Sequence, residues 1–180
     1  MRRIIVALSF TITAFSSYAQ REVIGKIFPH ITGETLMDKT VSIPNNTKGK
    51  FTLVGMAYSK DAEEDLKTWL NPVYNKFIAK TGMMDMDLDV NLFFIPMFAG
   101  VKTSVAEQAK KKLKSGTDKA FYPHILFYKG ELKTYSDALG FDRKDTGYFF
   151  VLDRNGKIVY ATSGKFKQDK LDEIEDIIIE

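Results

Sequence analysis

The chain has 180 residues, with 26 Lys or Arg against 23 Asp or Glu, a formal net charge of +3 and no cysteine. The missing thiols exclude disulfide exchange, thiolate nucleophiles and Cys-ligated metal, and leave the fold to be held by its core alone. The length suits one domain with a proper hydrophobic core, and the near-balanced charge gives no electrostatic case for nucleic acid.

The chain opens on a secretion pattern. Arg2 and Arg3 form a basic n-region, and Ile4 to Phe15 is an apolar run. That run is shorter than the ~20 residues of a membrane span. Ser17 and Ala19 supply the small residues of a cleavage site. The pattern predicts a signal peptide over 1–19, a domain over 20–180, and a periplasmic or secreted protein. The competing reading is an uncleaved N-terminal anchor. Losing Arg2 and Arg3 takes the net charge from +3 to +1. No second apolar run reaches spanning length, so no transmembrane span is expected in the mature chain.

Residues 22–50 read as short extended pieces punctuated by Pro29, Gly33, Pro44, Asn45, Asn46 and Gly49. Phe51 to Tyr58 reads as a buried strand. Asp61 with Glu64 three residues on predicts a capped helix start. Ala62, Leu66, Trp69, Leu70, Val73, Tyr74, Phe77 and Ile78 continue at helical spacing, and Pro72 inside that run predicts a kink. Val90 to Met97 is a second strand. Ser104 with Glu107 predicts another helix, its Lys110, Lys111, Lys112 and Lys114 placed where the dipole favours cations. His124 to Tyr128 is a third strand. Tyr148 to Leu152 and Ile158 to Thr162 flank Asn155-Gly156, a strong hairpin signal. Leu171, Ile174, Ile177 and Ile178 mark a closing helix. The order predicts an α/β fold in three layers: a mixed sheet with a terminal β-hairpin and a C-terminal helix.

This order resembles the thioredoxin-like superfamily, and Lys48-Gly-Lys-Phe-Thr-Leu-Val54 resembles the strand that precedes its redox motif. The resemblance implies that Asp61 and Glu64 stand where the two cysteines of a C-x-x-C would be. It also implies that Gly147 stands near the place of the superfamily's cis-proline, with Pro123 the other candidate. A narrower likeness lies in Trp69-Leu-Asn-Pro72, Gly147-Tyr-Phe-Phe-Val-Leu-Asp153, Gly156-Lys-Ile158 and Ser163-Gly164. These resemble the mitochondrial ATPase-complex assembly-factor family, thioredoxin-like proteins that often lack redox cysteines. The resemblance implies a non-catalytic binding module with no cofactor and a protein partner associated with a membrane. Its groove would run from Tyr58 to Glu64 and from Asp145 to Tyr148. The residues implied are Tyr58, Asp61, Glu64, Trp69, Gly147, Tyr148, Asp153 and Gly156.

Other groups compete with plainer explanations. Asp61, Glu63, Glu64 and Asp65 are a candidate cation or basic-peptide site, or simply acids at the positive end of a helix. Asp85, Asp87 and Asp89 mimic the opening of a calcium loop, but Val90 and Pro96 occupy the places of its glycine and bidentate glutamate. Met83, Met84 and Met86 are either adaptable packing or the thioethers of a periplasmic copper carrier, the alternative function. His30 and His124 are the only histidines, and no nucleophile, base and oxyanion donor group together in sequence, so no enzyme is expected. The lysines at 110–114 suit anionic lipid, an acidic partner or a solvated helix end. Phe121, Tyr122, Phe127, Tyr128 and Tyr135 form a candidate interaction surface.

Overall fold

A computed structural model describes residues 22–82, 88–100 and 103–179. The signal segment 1–19 and the Met83, Met84 and Met86 cluster lie outside the described residues.

Seven strands form one mixed sheet: β1 (Ile31–Thr35), β2 (Thr40–Ile43), β3 (Phe51–Ala57), β4 (Val90–Ala99), β5 (Leu126–Gly130), β6 (Tyr148–Leu152) and β7 (Ile158–Ser163). Their order across the sheet is β2-β1-β5-β4-β3-β6-β7. The centre, β3 with β4 and β4 with β5, is parallel, and both flanks are antiparallel. Among the described residues four α-helices accompany it: α1 (Lys60–Tyr74), α2 (Thr103–Ser115), α3 (Lys133–Leu139) and α4 (Gln168–Ile179).

Alternation along the central strands sorts side chains to two cores, because successive residues point to opposite faces. On β6, Phe149 and Val151 join the core of α1 and α4, which contains Leu66, Trp69, Val73, Leu171 and Ile174. Tyr148, Phe150 and Leu152 join the other core, with Val23, Phe28, Tyr135 of α3 and Leu139. A strand apolar on both faces belongs in the middle layer of three. The expected three-layer α/β architecture, hairpin and closing helix are all present.

Local details differ from the sequence reading. Ser59, not Asp61, caps α1: its backbone is extended and its Oγ accepts the Ala62 N–H. Serine suits this because its short hydroxyl reaches the orphan amides of the first turn. The helix carrying Pro72 runs to Tyr74 and passes into a π-helical turn over Asn75–Ala79. Among the described residues the cis X-Pro bond is Ile43–Pro44, and Pro123 sits in a 3-10 helix over Lys119–His124. That turn also delays the third strand, which starts at Leu126.

Candidate functional site

The start of α1 and the loop entering β6 meet at one end of the sheet, as the resemblance implied, but they meet closed. The Asp65 side chain points inward, with only 6 % of the residue exposed, and its carboxylate accepts the Gly147 N–H at 2.9 Å. The Ser59 hydroxyl, besides capping the helix, donates to the Lys144 carbonyl. The Tyr58 hydroxyl donates to the Arg143 carbonyl at 2.7 Å. Tyr148, itself buried, donates its hydroxyl proton to Asp142 Oδ1 at 2.6 Å and accepts the Asp142 and Arg143 amides at 2.9 and 2.8 Å. Three side chains at the helix start and one of β6 therefore fasten the loop beside the helix start, while Asp61 and Glu64 stay exposed. Rings complete the seal: Phe141 stacks between Tyr58, at 5.6 Å, and Tyr148, at 4.5 Å.

Gly147 is dictated by this closeness. A Cβ there would lie 3.0 Å from Asp65 Cβ and 3.3 Å from the Ala62 carbonyl oxygen. At the far end of α1, Trp69 is fully buried, stacks on Phe149 at 4.3 Å and donates its indole N–H to the Gly164 carbonyl at 2.9 Å. The Gly164 amide donates to the Gly147 carbonyl, joining the end of β7 to the loop.

The implied site residues thus divide. Tyr58, Asp61, Glu64, Gly147 and Tyr148 do come to one end of the molecule, but Gly147 and Tyr148 are buried there, and Trp69 is buried beneath. Asp61 and Glu64 are exposed, and Tyr58 is half-buried. The Lys67 ammonium, 2.6 Å from Glu64, holds that carboxyl below its usual range. Burial pushes Glu63 up, as it does the Tyr58 phenol, which the Asp142 and Asp145 charges raise further. Asp153 and Gly156 lie elsewhere and build the hairpin. Asp153 Oδ1 accepts the Asn155 and Lys157 amides, while Gly156 has φ +85° and packs so close to Pro44 that a Cβ would sit 2.4 Å from its ring.

Other candidates resolve structurally. Lys110 reaches Glu34 at 2.5 Å and Asp38 at 3.0 Å, and Lys114 reaches Asp38 at 3.1 Å, so these lysines dock α2 on the β1–β2 turn. The aromatic group is a correction to the expected interaction surface. Phe127 and Tyr135 are buried, Phe121 packs edge-on against Tyr74, and Tyr128 packs edge-on against Tyr135. His124 lies against Tyr74 with Nδ1 3.2 Å from the Leu92 carbonyl, and His30 bonds Ser42. Among the described residues no group of three or more His, Asp and Glu could hold a metal ion, and no helix is long and apolar enough to cross a membrane. The residue that sequence reasoning undervalued is Asp65. Its signal was its place on the apolar stripe of α1, one residue before Leu66.

Comparison with known proteins places this architecture. The family model described as ATP10 protein matches residues 16–178. Among solved structures, the exposed lipoprotein thioredoxin Etrx1 of Streptococcus pneumoniae superposes with a TM-score of 0.53 at 18% identity, covering 82% of this chain and 98% of that one. A 2-Cys peroxiredoxin of Plasmodium vivax gives 0.54 at 14% identity, with 86% and 80% covered. Yeast Sco1 gives 0.51 at 16% identity, with 83% and 92% covered. At these identities the likeness establishes a thioredoxin-like fold. A search of curated protein sequences found no match.

Proposed function

The chain belongs to the ATP10 protein family, and from that premise we propose that it is a non-catalytic, thioredoxin-like binding module that assists assembly of a membrane-protein complex. The observation that carries the reading is the cysteine-free helix start, tied to its own neighbouring loop. Where redox members of the fold need an exposed thiol at a helix N-terminus, this chain has no cysteine: it exposes the carboxylates of Asp61 and Glu64 there and uses the buried Asp65 to hold its own loop. A helix start with no nucleophile, braced by its own loop, suits a scaffold that binds with its outer surface. The basic n-region, short apolar run and small residues of the first nineteen positions support export, with the work done at a membrane surface from outside the cytoplasm.

Affinity capture from a detergent extract of membranes, read by mass spectrometry, tests the reading. The expected result is enrichment of the subunits of one membrane complex over a matched control, and accumulation of unassembled subunits in cells lacking the protein. Capture at background together with normal assembly would overturn it. Fractionation and N-terminal sequencing test export, with Gln20 as the expected first residue.

A further inference from the structure

The two edges of the sheet are finished differently. On β2 the outward-facing residue Ser42 has both backbone groups occupied: its N–H donates to Asn46 Oδ1 at 2.8 Å, and its carbonyl accepts the Asn46 N–H at 2.7 Å. Pro44 follows β2 at once, so a strand cannot extend along this end of the edge. On β7 the cover is partial. Ile158 faces outward and is paired with the segment before β1, its N–H to the Lys26 carbonyl at 2.9 Å and its carbonyl to the Gly25 N–H at 2.8 Å. Further along, the ladder to β6 runs through Gly164 and Gly147 and the pair Phe149–Thr162. In an antiparallel ladder alternate residues point away from the partner, so Ala161 and Ser163 face outward. The Ser163 carbonyl takes the Lys170 ammonium at 2.6 Å. The Ala161 N–H, the Ala161 carbonyl and the Ser163 N–H have no backbone partner among the described residues.

From this edge we infer that β7 adds an extended, acidic segment of a partner protein as an eighth strand along Ala161–Ser163. Unpaired donors and acceptors in strand geometry are a template for such pairing. The flanking charge selects the occupant. Exposed Lys26 and Lys157 stand at one end of the open stretch, and exposed Lys165 and Lys167, with half-buried Lys170, at the other. The acids on the same flanking segments are Glu22, ahead of the Gly25 contact, and Asp169 and Glu173 of α4, and Glu173 is held by the Tyr160 hydroxyl at 2.6 Å. A second copy pairing antiparallel about Ala161 would bring lysines against lysines, which is unfavourable. An acidic strand meets cations at both ends. The inference rests on the reading of the chain as a binding module and names one surface of it.

Fluorescence anisotropy of the purified protein with a short labelled peptide of alternating Glu and Val tests the edge. Saturable binding is expected, weakened by salt and absent for the Lys-Val counterpart. Removing two or three backbone bonds predicts a loss of about tenfold or more. N-methylation of alternate peptide amides, which leaves the protein untouched, supplies one arm. Ala161→Pro, tolerated on an edge strand, supplies the other. No binding, or binding indifferent to both arms, would overturn the inference. So would a concentration-dependent dimer that excludes the peptide, since the edge would then pair with itself. Membrane-complex capture that succeeds while the peptide fails would place the client elsewhere and leave the binding-module reading standing.

Discussion

At the scale of single residues, two adjacent acids in the first two turns of a helix have opposite fates. Glu64 is solvated and paired with Lys67, a contact of the kind that contributes little. Asp65 is buried and supplies the acceptor for the Gly147 amide. Asp65→Ala leaves that donor without a partner, and the expected loss is about 1–3 kcal/mol in urea unfolding. Glu64→Ala should move stability by less than about 0.5 kcal/mol. Equal effects would mean that the Asp65 bond is not what fastens the loop. Hydrogen exchange at the Gly147 amide should accelerate in the Asp65 variant alone. His124 gives a pH dependence. Burial holds its imidazole below the ordinary 6.5, although the bond to the Leu92 carbonyl opposes the shift. As pH falls the unfolded chain therefore takes up the proton first, so the stabilisation is complete above about pH 6.5 and is lost as pH falls toward the folded value. His124→Gln should flatten the stability profile below about pH 6.5. An unchanged slope would assign the acid sensitivity to carboxylates.

At the scale of elements, the strands and helices with long, one-sided or uniform apolar patterns were legible: β3, β4, β6, α1 and α4 follow directly from their residues. The short ones were not. α3 is a seven-residue helix whose Tyr135 reads as a loose aromatic until it joins Leu126, Leu139, Tyr148 and Phe150 in one core. The sequence rule misplaces the cap because Asp61 with Glu64 completes a capping-box pattern that Ser59, with Ala62 three residues on, lacks; the extended backbone at Ser59 decides it. Likewise Asp153 and Gly156, which looked like family-motif site residues, are explained by a tight turn against Pro44. The cap has a chemical consequence. It moves the spacing of a helix-start C-x-x-C from Asp61 and Glu64 to Ser59 and Ala62, whose Oγ and N are 3.1 Å apart. The double variant S59C/A62C should form an intramolecular disulfide, and the thiol at position 59 should titrate below the free value of about 8.5. Insulin reduction should stay slow, because Ala62 is fully buried and the loop at Lys144 to Gly147 covers the pair. Rapid turnover would show that the loop opens readily. The absence of a disulfide would show that residues 59 and 62 are not held at that spacing.

At the scale of the whole molecule, β6 decides how the fold comes apart. All five of its residues are buried, and they alternate between the core under α1 and α4 and the core under α3. Its neighbours β3 and β7 are bonded to it along most of its length, so neither core can dissolve without exposing a central strand and breaking its ladder. This predicts one cooperative transition rather than two, the behaviour usual for single domains of about this size. The chain carries its own reporters. Trp69, the sole tryptophan, lies wholly in the first core against Phe149, while Tyr135 and Tyr148 lie in the second. In a urea titration the indole emission, the ring-proton resonances of Tyr135 and Tyr148 and the far-UV dichroism should trace superimposable curves. Phe149→Ala and Phe150→Ala, which point to opposite faces, should each cost about 3–5 kcal/mol and shift all three curves together. If Phe149→Ala displaced the tryptophan curve and left the tyrosine signal in place, the two cores would be separate cooperative units. The sheet between them would then be a partition and not a shared centre.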